Sequence, residues 1–256
     1  MQGHEEIREA LTRGAQNGGA LIPFFTAGYP TLGGFIETLT SIAPHADVIE
    51  VGVPFSDPMA DGMTIQRSSH QALQNGVNLH WIISELATHA DQINTPLVLM
   101  SYLNPMLAYG LEALARDCRH AGVGGFIVPD LPFEESAPIR EALEVEGVGL
   151  IQLVTPATPD ARLQLLCEHS RGFVYAVTVT GITGGGQGLP DEVSDYLQRV
   201  REHSALPVCA GFGIRSPDDV ARICQHADGA IVGSALVEVL EQQQDAGAFL
   251  GSLRRR

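Results

Sequence analysis

One stretch of the chain places a carboxylate inside an apolar strand and further carboxylates in the turn that follows: Val48-Ile49-Glu50-Val51-Gly52-Val53-Pro54-Phe55-Ser56-Asp57-Pro58-Met59-Ala60-Asp61-Gly62. An ionised carboxylate removed from water is destabilising unless paired, so Glu50 has a partner, is held protonated, or faces a cavity. Only the last two alternatives suggest acid–base chemistry. Strand alternation puts Glu50 on one face with Val48 and Gly52, and Ile49, Val51 and Val53 on the other. Gly52 is expected to leave room for a ligand beside the acid.

Few other residue types compete for that chemistry. The nine histidines fall in or at the ends of predicted helices and form no H-x-H or H-E-x-x-H pattern, so no metal site is signalled and acid–base work falls to carboxylates. Cys118, Cys167, Cys209 and Cys224 are widely spaced, which suits buried free thiols better than a redox pair or a thiolate metal site. All 15 basic residues are Arg. Without lysine there is no Schiff-base aldolase, no lysine-anchored pyridoxal phosphate and no Walker phosphate loop.

The elements that must position Glu50 recur as a strand–helix alternation. Strands are predicted over Ala20–Gly28, Val48–Pro54, Pro96–Tyr102, Gly125–Leu131, Gly149–Val154, Phe173–Val179, Pro207–Phe212 and Gly229–Val232. Helices are predicted between them, including one unbroken helix over Met106–Ala121, with an extra amphipathic helix at Glu5–Gln16 and a last one at Leu236–Gln244. Most strands are apolar throughout, as in a parallel sheet buried on both faces. Eight of them in 256 residues predict an α/β fold, one (β/α)₈ TIM barrel spanning 1–256 as a single domain. An open doubly wound sheet is the rival, but Gly211-Phe212-Gly213-Ile214-Arg215-Ser216 lacks the third small residue of a dinucleotide fingerprint.

In such barrels the active site lies at the carboxyl ends of the strands, and phosphate binds the loops after strands seven and eight. Gly211-Phe212-Gly213 and Gly233-Ser234-Ala235 occupy those loops, and Thr180-Gly181-Ile182-Thr183-Gly184-Gly185-Gly186 follows strand six. Each glycine group alone fits a tight turn; together they suggest a phosphate cradle of backbone N–H groups and the Ser234 hydroxyl. Gly181 to Gly188 reads as a lid or as a solvated linker. Asp130 and Tyr175, near strand ends, line the pocket or serve as a helix cap and a packed aromatic. The tail Arg254 to Arg256 reads as solvated.

A net charge of -15 disfavours nucleic acid and anionic membrane as partners. The polar, acidic start Met1-Gln2-Gly3-His4-Glu5-Glu6 has no signal-peptide pattern, and no apolar run nears membrane-spanning length. A cytoplasmic protein is the expectation.

The run from Glu50 to Gly62 closely resembles the signature of the tryptophan synthase alpha subunit family. Similar matches extend over almost the whole chain: Thr26-Ala27-Gly28-Tyr29-Pro30, Tyr102-Leu103-Asn104-Pro105, Pro129-Asp130-Leu131-Pro132, Gly181-Ile182-Thr183-Gly184, Gly211-Phe212-Gly213-Ile214 and Gly233-Ser234-Ala235. The resemblance implies retro-aldol cleavage of indole-3-glycerol phosphate to indole and glyceraldehyde 3-phosphate, with no cofactor. It implies Glu50 as the acid and base and Asp61 as the group holding the indole N–H. Thr183 would orient Asp61, Phe24, Tyr102 and Tyr175 would contact substrate, and Gly184, Gly213, Gly233 and Ser234 would bind phosphate. Pro54, Asp57, Asn104 and Pro105 would face a beta subunit in an alpha2beta2 assembly, and that subunit would carry the pyridoxal phosphate.

Two departures stand out. Met63 occupies a position where the family usually has Pro, which would fix φ at a helix start, so a looser loop is expected. Gly185-Gly186-Gln187-Gly188 replaces a family sequence that carries an Arg, which implies a larger ordering cost and one less basic group. Weak substrate binding and low activity of the isolated subunit, or a divergent partner, are therefore expected. A stand-alone indole-releasing lyase and a catalytically idle regulatory subunit are the alternatives.

Overall fold

The structure, a computed structural model, describes residues 3–178, 189–211 and 213–254. Eight parallel strands close into a barrel in chain order. They are β1 (Ala20–Thr26), β2 (Ile49–Gly52), β3 (Leu97–Met100), β4 (Val123–Ile127), β5 (Gly149–Val154), β6 (Val174–Val177), β7 (Val208–Gly211) and β8 (Gly229–Val232), with β1 paired to β8. The surrounding helices are α1 (Gly3–Gln16), α2 (Phe35–Ile42), α3 (Met63–Gln74), α4 (Leu79–Thr88), α5 (Leu103–Tyr109) and α6 (Leu111–His120). They continue with α7 (Ala137–Val145), α8 (Asp160–His169), α9 (Asp191–His203), α10 (Pro217–Cys224), α11 (Ser234–Glu241) and α12 (Ala246–Leu253).

Two apolar layers follow from strand alternation. Ile49, Val51 and Val53 pack outward against the helices, while Val48 joins Ile22, Val98, Ile127, Ile151, Phe173, Cys209 and Ile231 inside the barrel. Ile7 and Leu11 of α1 enter that inner cluster and are fully buried. The helix therefore stoppers the amino-terminal mouth, and each of these side chains contributes about 1.5–3 kcal/mol of burial. Close approach of α1 to β4 requires glycine, because a Cβ on Gly124 would lie 2.6 Å from the Gly3 carbonyl oxygen. With that end of the barrel interior closed, the interior opens at the carboxyl ends of the strands.

Three sequence expectations are corrected. The unbroken helix over 106–121 is two helices, because Gly110 takes φ +90 between α5 and α6. A further helix, α12, follows α11, its start capped by Asp245, whose Oδ1 accepts from the Ala248 N–H at 2.9 Å. Arg254 is not a solvated tail residue: its guanidinium reaches Asp47 Oδ2 at 2.7 Å and the His45 carbonyl at 2.9 Å. Among the described residues no helix is long and apolar enough to cross a membrane, and no group of three metal-ligating side chains converges.

Candidate active site

Strand β2 carries Glu50 to the inner wall of the barrel, in register with Phe24 of β1 and Val98 of β3. It is 1% exposed. Among the described residues its Oε2 has no hydrogen-bond partner, and none of them forms the buried ion pair that the sequence left open. Burial and, secondly, the nearby Asp61 charge push the carboxyl up from 4.5 to about 8. At neutral pH the side chain is therefore a neutral acid holding a transferable proton.

Asp61 stands in the loop between β2 and α3 and borders the same cavity. Burial raises its carboxyl, and a hydrogen bond from Tyr102 works against that shift. The phenol Oη of Tyr102 lies 3.4 Å from Asp61 Oδ2 and accepts from the Met59 and Ala60 N–H groups, each at 3.0 Å. Two carboxyls thus share one cavity in different surroundings, one fully enclosed and one on a braced loop.

The cavity measures about 200 Å³ and opens at the carboxyl ends of the strands. Phe24, Glu50, Asp61, Tyr175, Gly213, Gly233 and Ser234 all line it, so residues from five separate stretches of sequence meet at one place. Tyr175 stands on β6, where burial and then the Glu50 charge hold its phenol well above 10.0. Gly213 has φ +57 and faces open space. Ser234 is the first residue of α11, whose internal hydrogen bonds begin with the N–H groups of Leu236 and Val237 on the Gly233 carbonyl. The N–H groups of Ser234 and Ala235 precede that ladder, at the positive end of the helix dipole.

A family model described as tryptophan synthase alpha chain matches residues 11–250. The chain belongs to the tryptophan synthase alpha chain family. The tryptophan synthase alpha chain of Desulfovibrio desulfuricans is 46% identical over 249 residues, covering 96% of each chain. That of Bacillus mycoides is 43% identical over 243 residues, covering 94% of this chain and 93% of the relative. Among solved structures, Mycobacterium tuberculosis tryptophan synthase in space group F222 matches with a TM-score of 0.88 at 37% identity, covering 96% of each chain. Tryptophan synthase subunit alpha of Legionella pneumophila matches with a TM-score of 0.87 at 32% identity, covering 97% of this chain and 96% of that one.

Not every residue suggested by the resemblance to tryptophan synthase alpha subunits lies on the cavity wall. Tyr102, 3% exposed, stands behind Asp61 and is not among the lining residues. Thr183 and Gly184, with the rest of the glycine-rich run, lie outside the described residues. Gly52 does not hold open space: a Cβ there would come within 2.6 Å of the Phe24 ring, so the room it makes is filled by Phe24. Asp130 is a cap rather than a pocket residue, its Oδ1 accepting from the Leu103 N–H of α5 at 2.9 Å.

The residues suggested to face a partner lie in the loops after β2 and β3. Asp57 and Asn104 are exposed, Pro105 is half-buried, and Pro54 is buried within this chain. Beside them Met59 and Met63 are each 79% exposed. Met63 opens α3 with neither Pro nor a side-chain cap.

Sequence reasoning overlooked the apolar wall formed by Met100, Val177 and Ile231. Counting by two from Val98, Tyr175 and Gly229 would have found all three. Ile65, from the first turn of α3, had no such signal.

Proposed function

We propose that Glu50 and Asp61 carry the reaction of the family, retro-aldol cleavage of indole-3-glycerol phosphate to indole and glyceraldehyde 3-phosphate. Glu50 delivers its proton to indole C3, which turns the ring into an iminium-like electron sink. Asp61, ionised, accepts the indole N–H and stabilises the positive charge that develops there. The Glu50 carboxylate then takes the proton of the adjacent side-chain hydroxyl. The bond from that carbon to C3 breaks, its electrons restore the aromatic ring, and the carbon leaves as an aldehyde. One proton is given and one recovered, so the acid is regenerated.

A single observation carries this reading: a fully buried carboxyl, one oxygen of which has no partner among the described residues, lines the same cavity as a second carboxyl that Tyr102 braces. An acid held near 8 suits proton transfer at neutral pH. The apolar wall of Phe24, Met100, Val177 and Ile231 suits a planar aromatic ring, and Tyr175 borders the same space. Gly184, Gly213, Gly233, Ser234 and the first N–H groups of α11 are the proposed phosphate contacts, and Thr183 is the residue proposed to orient Asp61.

The chain acts as a single barrel domain in the cytoplasm, in an alpha2beta2 assembly whose beta subunit receives the indole. The paired loops bearing Asp57, Asn104 and Pro105 support that placement of the partner, and Pro54 supports the loop from within. Indole release from indole-3-glycerol phosphate, measured with and without a beta subunit, tests the whole reading. Glu50→Gln and Asp61→Asn are expected to abolish release while far-UV circular dichroism stays unchanged. Near wild-type turnover in either variant refutes the assignment. Full turnover without a beta subunit identifies a stand-alone lyase, and no turnover in its presence an idle regulatory subunit.

A further inference from the structure

The hydroxyl of Tyr102 has a single proton, and its surroundings dictate where that proton points. The N–H groups of Met59 and Ala60 both approach its oxygen at 3.0 Å. A phenol oxygen offers two lone pairs and one O–H, so these two donors occupy its accepting capacity. The remaining proton is directed to Asp61 Oδ2, 3.4 Å away. A carboxylate accepts a hydrogen bond more strongly than a neutral carboxyl oxygen does, so the contact favours the charge state that the proposed chemistry needs.

The ring is itself fixed. It stacks on Phe55 at 4.7 Å with 20° between the planes, and the next residue in the chain is tied to the end of β4 through the Leu103 N–H and Asp130 Oδ1. A loop with exposed residues at Met59 and Ala60 is thereby fastened to the rigid ends of β3 and β4 at one atom. Resting on the role proposed above for Asp61, we infer that Tyr102 is a positioning residue that holds the 59–61 loop and aims the Asp61 carboxylate into the cavity, and is not a substrate contact. It acts through Asp61 and touches no reacting atom.

Tyr102→Phe removes only the hydroxyl and keeps the stack on Phe55. Indole release by the variant, alone and with a beta subunit, is expected to lose about 10- to 100-fold in kcat with KM changed by less than about twofold, the pattern of a misplaced catalytic group. The acid limb of its pH–rate profile moves to higher pH, because the bond from Tyr102 lowers the Asp61 carboxyl. Amide hydrogen exchange at Met59 and Ala60 accelerates, a readout that does not depend on turnover. Asp61→Asn is measured beside it. With Asp61→Asn inactive, a Tyr102→Phe kcat within about twofold of wild type, or a rise in KM alone, overturns the inference and leaves the reading of Asp61 standing. If Asp61→Asn turns over like wild type, the reading of Asp61 has failed, and the inference fails with it.

Discussion

Replacing Glu50 by Gln separates the acid's chemistry from what the acid costs the fold. In the folded chain burial and the Asp61 charge raise the carboxyl from 4.5 to about 8, while the unfolded chain keeps the ordinary value. Between those two values the folded state holds a proton that the unfolded state has released, so stability falls as pH rises through the window. Below 4.5 both states are protonated and this loss is absent. The slope reaches about 1.4 kcal/mol per pH unit, which accumulates to about 3 kcal/mol at neutral pH and levels off at about 5 kcal/mol in mild alkali. Gln has no proton to release, so the stability of the variant relative to wild type should rise by about 2–3 kcal/mol between about pH 5 and about pH 7. The amide placed at the unpartnered Oε2 position costs about 1–3 kcal/mol at every pH, so the slope rather than any single value carries the test. Urea unfolding of both proteins across that range, followed by far-UV circular dichroism, measures it. A difference that does not change with pH would mean that Glu50 is ionised and paired when folded, and the proton-delivery argument would be lost.

The proposed mechanism requires Glu50 protonated and Asp61 ionised, so kcat/KM should trace a bell with its alkaline limb near 8 and its acid limb above 3.8; a rate still rising in mild alkali would refute this. Gly52→Ala sets a methyl within 2.6 Å of the Phe24 ring, whose free end can swing into the cavity. The expected result is a KM for indole-3-glycerol phosphate raised at least about tenfold, with a stability loss of about 1–3 kcal/mol. An unchanged KM would show that Phe24 yields elsewhere. Arg254→Ala leaves the half-buried Asp47 carboxylate, among the described residues, with the Leu21 N–H at 2.8 Å as its hydrogen-bond donor. Screened by solvent, that loss is about 1 kcal/mol, or about 2–4 °C in Tm, and a melting curve identical to wild type would return the tail to solvent.

The barrel and its acid were legible in the sequence because both depend on local pattern. Apolar strands repeated along the chain, and period-two alternation put Glu50 on the inner face with Val48, where the structure has it. Alternation says nothing of what fills a space between strands, so Gly52 read as room for a ligand when the adjacent strand supplies the Phe24 ring. Helical periodicity ran through Gly110, whose φ of +90 depends on how α5 and α6 each pack. Arg254 and Asp47 are separated by most of the chain, and no local signal joins them.

By itself the sequence determined which groups are present and on which face of which strand: an acid among apolar residues, glycines after late strands, and no lysine amine. Only the tertiary structure decided what those groups are chemically. Whether Glu50 is a buried ion-pair partner or a neutral acid turns on one oxygen that has no partner among the described residues, and whether Tyr102 binds or braces turns on three contacts to a neighbouring loop. Protonation state and hydrogen-bond direction are properties of a surrounding field, and that field is assembled from residues far apart in the chain.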